Sequence, residues 1–160
     1  MSESAAARSQ AIVTPIRLTT RVHQPAADAF RLFTEGIDSW WPLHDGYSYA
    51  ADRTKEIHLE AFAGGRFYER LADGAELVVG QVLVCEPPRR IVFTWQGVDW
   101  PAATEVEVSF TSEGNTTRVD LEHRGWEQLG PSAEEQRRAF ANGWPTVLSR
   151  YANAAGAIES

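Results

Sequence analysis

The feature that most constrains the fold is a strict alternation of apolar and polar residues in TEVEVSF, residues 104–110. Val106, Val108 and Phe110 share one face of an extended chain, and the polar residues between them share the other. Six segments of strand character follow one another between residues 55 and 125, separated by turn sequences rich in glycine and proline. A run of this kind predicts an antiparallel sheet joined by short turns.

Helical periodicity replaces the alternation in the C-terminal segment. Ser132 and Glu135 have the spacing of a capping box, which predicts a helix start there. Pro145 lies inside the apolar stripe, and an interior proline cannot donate a backbone hydrogen bond, so we expect a kink or a break at this point. The stripe consists of Phe140, Trp144, Val147, Leu148, Tyr151, Ala155 and Ile158.

The segment before the sheet completes the architecture. Residues 16–23 predict a first strand, and QPAADAFRLFTEGI predicts a short helix after it. Strands followed by a segregated helix indicate an α+β fold, in which one long helix lies across the concave face of a curved sheet. Such an arrangement can leave a cavity between sheet and helix. We expect a flexible tail over residues 1–12 and a single domain over residues 13–158.

Composition excludes several classes of function. The net charge is -7 and the pI about 5.1, which disfavours nucleic-acid binding and anionic membrane surfaces. No apolar run is long enough to span a bilayer, and the first ten residues do not resemble a signal peptide. Cys85 is the single cysteine, so no intrachain disulfide can form, and we expect a cytoplasmic protein. We expect no cofactor and no metal.

Two adjacent tryptophans, Trp40 and Trp41, stand just before Pro42. One interpretation is that a ring packs against the long helix as core. The other is that the pair lies where short helices cap the mouth of a cavity. Both interpretations hold if each ring follows one of them.

Strand parity selects two polar residues that face the interior. His123 shares a face with Val119 and Leu121, and Glu69 shares a face with Phe67. His123 is either a buried histidine whose hydrogen bonds are made within the protein or a polar group of a ligand site. We expect His123 to contribute more to ligand binding than to stability. Glu69 either needs a partner inside the protein or meets solvent at a sheet edge.

The other groups of reactive residues in the sequence do not indicate a functional site. His58 alternates with Glu56 and Glu60, a pattern that is more typical of a solvated strand face than of a metal site. Cys85 lies in an apolar strand, where a thiol is usually inert. Phosphate loops, nucleophile elbows and Cys/His metal spacings do not occur in the sequence.

Four stretches of the chain resemble the activator-of-Hsp90-ATPase-like family of the START/Bet v 1-like (SRPBCC) superfamily. They are GGRFYERLADG (64–74), GQVLVCEPPRRIVFTW (80–95), TRVDLEHRGW (117–126) and NGWPTVLSRY (142–151). The resemblance covers roughly residues 15–156. It implies a helix-grip fold, with a curved seven-stranded antiparallel sheet around the C-terminal helix, two short helices after the first strand, and an internal cavity.

The resemblance also implies a function. Superfamily members bind small hydrophobic or amphipathic molecules in the cavity, and some are cyclases or dehydratases. For an enzyme of that type, the acid and base are expected to be His123 with Glu69, or Tyr47 with Tyr49. A third alternative is a chaperone-interacting module, but eukaryotic Hsp90 activators carry an additional N-terminal domain for which this chain has no room. We expect a small-molecule ligand, and the sequence leaves open whether the chain is a monomer or a homodimer.

The expected ligand site combines an aromatic lining with few polar groups. The lining residues are Phe67, Phe93, Trp95, Phe110, Trp144 and Tyr151. The polar anchors are Glu69 and His123, and the residues near the mouth are Trp40, Trp41 and His44.

Overall fold

The alternating segments form seven antiparallel strands, in the order β1-β7-β6-β5-β4-β3-β2, in a computed structural model that describes residues 13–156. The sheet curves around the C-terminal helix, which is the helix-grip architecture expected from the sequence. The strands are β1 (Ile16–Val22), β2 (Thr54–Leu59), β3 (Arg66–Leu71), β4 (Glu76–Glu86), β5 (Arg90–Trp95), β6 (Thr104–Glu113) and β7 (Thr116–Arg124).

Two α-helices accompany the sheet, α1 (Ala26–Phe33) and α2 (Ala133–Ala154). The helical stretch expected after β1 forms α1, and three single-turn 3-10 helices follow it before β2. A further 3-10 segment precedes α2. The 3-10 elements are Ile37–Ser39, Leu43–Asp45, Ala51–Arg53 and Trp126–Ser132.

Helix α2 runs through Pro145 without interruption, so of the expected kink or break the break is wrong, and the kink stays a prediction. Trp144 before the proline, and Val147 and Leu148 after it, are all buried in one cluster. Their burial holds both halves of the helix on the core, which outweighs the roughly 3 kcal/mol penalty of an interior proline. The capping box is also wrong, because the Ser132 hydroxyl donates to the Leu129 carbonyl at 3.3 Å and leaves the start of α2 uncapped by its side chain.

The buried core lies between the inner face of the sheet and α2, with α1 at one end. Phe33 of α1 contacts both Phe110 of β6 and Tyr151 of α2, with ring centroids 6.1 and 5.2 Å apart. The Tyr151 hydroxyl donates to the Ala29 carbonyl at 2.8 Å, and burial raises the pKa of Tyr151. The expected tail and Ile158 lie outside the described residues.

Strand β4 contains two irregularities that shape the sheet near the cavity. The pairing register shifts against β3 between Phe67 and Tyr68, and against β5 between Val82 and Val84. Gly80 lies between them, and a Cβ atom on it would stand only 1.7 Å from the Thr94 carbonyl oxygen. Glycine is therefore required at this point for the close approach of β4 and β5.

Between residues 13 and 156, no helix is both long and apolar enough to cross a membrane.

Candidate functional site

A cavity of about 250 Å³ lies between the inner face of the sheet, α2 and the loop of residues 46–49. The sheet supplies one wall because alternate residues of its strands point toward the helix. These wall residues are Ile57, Phe67, Glu69, Val79 and Trp95.

Helix α2 supplies the opposite wall, and the loop closes the mouth. The ring of Tyr47 lies over Gly143. A Cβ atom added to Gly143 would lie 3.2 Å from Cε1 of Tyr47. A glycine in mid-helix lowers helix stability by about 1 kcal/mol relative to alanine, and here it makes room for that ring. Asp45, just before the loop, forms an ion pair with Arg150 of α2. The residues of α2 that line the cavity are Ala139, Phe140, Gly143, Trp144 and Val147, and those of the loop are Gly46, Tyr47, Ser48 and Tyr49.

Three tryptophans form a continuous aromatic wall. The ring centroids of Trp41 and Trp95 are 6.1 Å apart, those of Trp41 and Trp144 6.1 Å, and those of Trp95 and Trp144 5.7 Å. Each indole N–H donates a hydrogen bond within the protein. Trp41 donates to the Tyr47 carbonyl. Trp95 donates to the Tyr49 hydroxyl, and Trp144 donates to His123 Nδ1. These rings therefore offer a ligand apolar and π surface and no free N–H donor.

Glu69 and Tyr49 form a polar corner in this mainly apolar cavity. Glu69 is buried, and both of its carboxylate oxygens accept from the Tyr49 backbone N–H at 3.1 and 2.9 Å. The Thr54 hydroxyl donates to the same carboxylate at 2.9 Å. Glu69 thus points inward, as strand parity predicted. Its hydrogen-bond partners are neutral donors of the protein.

The Tyr49 hydroxyl accepts from Trp95 Nε1 at 2.8 Å, so its own proton is free to donate. Burial raises the pKa of Tyr49, the Trp95 hydrogen bond lowers it, and the negative charge of Glu69 adds to the rise. Tyr49 is therefore a neutral donor at physiological pH, positioned at the polar end of the cavity.

His123 points inward as expected but does not line the cavity. Its Nδ1 accepts from Trp144 Nε1 at 3.0 Å, which leaves Nε2 to donate to the Thr104 hydroxyl at 2.7 Å. Burial lowers the pKa of His123 to about 3, so the ring is neutral. Because both ring nitrogens are used by the protein, His123 has no free group to anchor a ligand or transfer a proton, contrary to the role expected for it.

The two adjacent tryptophans have different environments. Trp40 packs against Phe33 and Tyr151, with ring centroids 5.2 Å away in each case, and its N–H donates to the Leu32 carbonyl at 2.8 Å. Trp41 lines the cavity instead. One ring is core and the other lines the cavity, which is the case in which each ring follows one of the two sequence interpretations.

The structure brings together five of the residues predicted for the site and separates the others. Phe93, Phe110 and Tyr151 are buried elsewhere in the core, because side chains of the same parity spread along the whole length of the sheet and helix. His44 is exposed on a 3-10 helix outside the cavity lining. The predicted residues that do line the cavity are Trp41, Phe67, Glu69, Trp95 and Trp144.

Parity alone did not identify several lining residues. The sequence indicates Tyr49 only as a catalytic alternative and gives no signal for Ser48, because loop residues follow no period. Gly143 had a detectable signal, since a glycine within an apolar helical stripe marks a close approach.

The outer face of β2 and β3 holds the Glu56, His58 and Glu60 pattern. His58 Nε2 contacts Glu56 at 2.7 Å, while Glu60 accepts from Arg66. Among residues 13–156, no group of three His, Cys, Asp or Glu side chains is placed to hold a metal ion.

Comparison with solved structures places the fold among known proteins. The anthrahydroquino-gamma-pyrone synthase Txn09 is 30% identical, with 89% of this chain and 97% of that chain covered and a TM-score of 0.60. The self-sacrificing resistance protein CalC from Micromonospora echinospora is 25% identical, with 92% and 95% covered and a TM-score of 0.65.

An HSP90 activator from Plasmodium falciparum is 22% identical, with 92% of this chain and 100% of that chain covered and a TM-score of 0.62. It therefore shows the same fold.

Comparison with curated proteins gave no match. The family described as Activator of Hsp90 ATPase homolog 1-like protein matches residues 23–155, which is most of the chain. Together with the helix-grip architecture and the similarity to Txn09, this match shows that the chain belongs to the Activator of Hsp90 ATPase homolog 1-like family.

Proposed function

We propose that the protein binds one small, flat, mainly apolar molecule in the cavity between the sheet and α2. The observation that supports this function is the composition of the cavity walls, in which aromatic and aliphatic side chains surround the single polar corner of Glu69 and Tyr49. Small-ligand sites typically combine an apolar lining with a few placed polar groups.

The volume of the cavity limits the size of the ligand. A dry cavity of about 150 Å³ is sufficient for benzene. The cavity of about 250 Å³ therefore suits roughly two fused rings, or one ring with short substituents. A larger molecule extends through the mouth past Tyr47, which is half-buried at the rim.

The names of similar proteins support an aromatic ligand. Txn09 is named for a product with fused rings, and CalC is named as a resistance protein. The name of Txn09 fits a protein that handles a small organic molecule. Binding of such a molecule is the function that we carry over to this chain.

Catalysis of a cyclisation or dehydration is the second candidate, because Txn09 is a synthase and Tyr49 retains a free proton beside the cavity. The pair available for acid and base chemistry is Tyr49 with Glu69. His123 is not available, since both of its nitrogens are bonded to the protein.

A cytoplasmic location is part of this proposal, because a chain with the single cysteine Cys85 forms no intrachain disulfide and suits a reducing compartment. A chaperone-binding surface is a weaker candidate, because only four large apolar side chains are exposed among the described residues. They are Phe62 in a turn, Val78 and Leu83 on β4, and Val98 in a loop.

Native mass spectrometry of freshly purified protein tests the function. We expect the wild type to carry one small molecule per chain and Gly143→Leu to carry none, because a leucine there fills the space beneath Tyr47. Ser149→Leu, which adds the same side chain on the exposed face of α2, is the matched control and should resemble the wild type. The same adduct in all three proteins, or an adduct in none, contradicts the proposal.

A further inference from the structure

We propose that the ligand carries a positively charged group, such as a protonated amine, which binds to Glu69. This inference rests on the ligand-binding function proposed above and specifies the chemical class of the ligand. Its basis is a buried carboxylate in an aromatic cavity that has no basic side chain in its lining.

Within residues 13–156, no basic side chain forms an ion pair with Glu69. The hydrogen-bond donors to Glu69 are the Tyr49 backbone N–H and the Thr54 hydroxyl, and both are neutral. The neighbouring arginines of β3 pair on the outer face, Arg66 with Glu60 and Glu76, and Arg70 with Glu76. A buried ion without a counter-charge is unfavourable, so a cation that enters the cavity gains the attraction that the protein does not supply.

Hydrogen-bonding capacity also remains on the carboxylate. Two carboxylate oxygens offer about four acceptor positions. Three donated hydrogen bonds reach Glu69, and two of them share the single Tyr49 N–H. An ammonium group can therefore form a charge-assisted hydrogen bond with Glu69 without displacing either protein donor.

The aromatic wall favours the same ligand. Cations are attracted to the faces of aromatic rings within about 6 Å, and most strongly to tryptophan. Trp41, Trp95 and Trp144 all line the cavity that holds Glu69. An aromatic or aliphatic amine matches both surfaces, with its body against the indoles and its ammonium at the carboxylate.

Anionic ligands are disfavoured for the same reasons. A carboxylate or phosphate placed beside Glu69 meets a like charge in a site with little water, and like charges at close range repel strongly in such a site. The overall net charge of -7 adds to that repulsion.

Isothermal titration calorimetry with three probes of matched shape tests this inference. The probes are 1-naphthylmethylamine, which is cationic at pH 7, 1-naphthalenemethanol, which is neutral, and 1-naphthoic acid, which is anionic. We expect the wild type to bind the amine at least about tenfold more tightly than the alcohol, because charge-assisted hydrogen bonds are roughly twice as strong as neutral ones. The acid should bind more weakly than the alcohol.

Glu69→Gln keeps the shape of the side chain and removes its charge. We expect this variant to bind the amine and the alcohol with similar affinity. Glu135→Gln, an exposed change of the same charge on α2, should retain the wild-type preference. Thermal melting of each variant shows that it is folded, and Glu69→Asp, which keeps the charge, should retain a preference for the amine if Glu69→Gln does not fold.

The outcomes distinguish this inference from the function on which it rests. Equal binding of amine and alcohol by the wild type, or tighter binding of the acid, overturns the inference and leaves the cavity as a ligand site. An amine preference that survives in folded Glu69→Gln also overturns it. Binding of none of the three probes contradicts both.

Discussion

Trp144 donates its indole N–H to Nδ1 of His123 over 3.0 Å, and this bond connects the cavity wall to the sheet. On its other side, the His123 ring bonds to Thr104, whose hydroxyl in turn donates to the Trp95 carbonyl at 3.2 Å. Two of the three wall tryptophans are therefore linked through one buried histidine. His123 fixes the wall of the site from behind and does not enter it.

Replacement of His123 by leucine should reduce stability. The change leaves the buried N–H of Trp144 without an acceptor, which costs about 1–3 kcal/mol. Urea unfolding followed by fluorescence measures the loss. His44→Leu is the control, because His44 is exposed, and it should change stability by less than about 0.5 kcal/mol. A His123→Leu protein as stable as the wild type would contradict this structural role of His123.

His123 should also make the stability depend on pH. Its pKa is about 3 in the folded protein against 6.5 ordinarily, so the unfolded chain binds the extra proton between these values. Stability is then fully present above about pH 6.5 and falls as the pH drops, by up to about 1.4 kcal/mol per pH unit. The difference between wild type and His123→Leu, measured by urea unfolding at pH 7, 6 and 5, isolates this contribution. A difference that stays constant over that range contradicts it.

The two adjacent tryptophans should respond differently to replacement by phenylalanine. Trp40→Phe removes a buried N–H that is bonded to Leu32 and leaves space between Phe33 and Tyr151, so we expect a loss of about 2–3 kcal/mol. Trp41→Phe releases the Tyr47 carbonyl at the mouth and enlarges the cavity. Urea unfolding and calorimetric titration with 1-naphthalenemethanol should show that Trp40→Phe mainly lowers stability and Trp41→Phe mainly changes affinity. The reverse pattern contradicts the assignment of core and wall.

Gly80→Ala should be strongly destabilising. The added Cβ atom would lie 1.7 Å from the Thr94 carbonyl oxygen, so β4 and β5 must separate locally. Overpacking of this kind typically lowers stability by about 1–3 kcal/mol. Because the backbone must also move, we expect the loss for Gly80→Ala to be at or above the upper end of that range. Val78→Ala on the same strand is the control, because Val78 is exposed. Thermal melting compares the two, and equal melting temperatures would show that β4 accommodates a side chain at residue 80.

Strand parity predicted the inward faces correctly. Val106, Val108 and Phe110 are buried, as are Val119, Leu121 and His123, because a period of two leaves only one face for the core. The order of the elements also followed from the residue patterns, and the family resemblance implied the helix-grip fold with its internal cavity. Parity does not distinguish cavity from core, however, and this is why Phe93 and Phe110 were predicted in the lining.

The polar corner and the intact helix at Pro145 depended on tertiary contacts. Glu69 finds its donors in Tyr49 and Thr54, which lie 20 and 15 residues away in sequence. His123 meets Trp144 across 21 residues. No local pattern encodes these pairs, so the sequence indicated which polar side chains point inward but not which of them are already satisfied.

The most direct test of the ligand site is the indole region of a ¹H–¹⁵N NMR spectrum during titration with 1-naphthalenemethanol. The six tryptophans give one indole signal each, and single Trp→Phe variants assign them. We expect large shifts for Trp41, Trp95 and Trp144, which line the cavity, and little change for Trp126, which is buried behind His123. Shifts confined to Trp126 or Trp100, or no shift of the three wall signals at saturating probe, would contradict a ligand site between the sheet and α2.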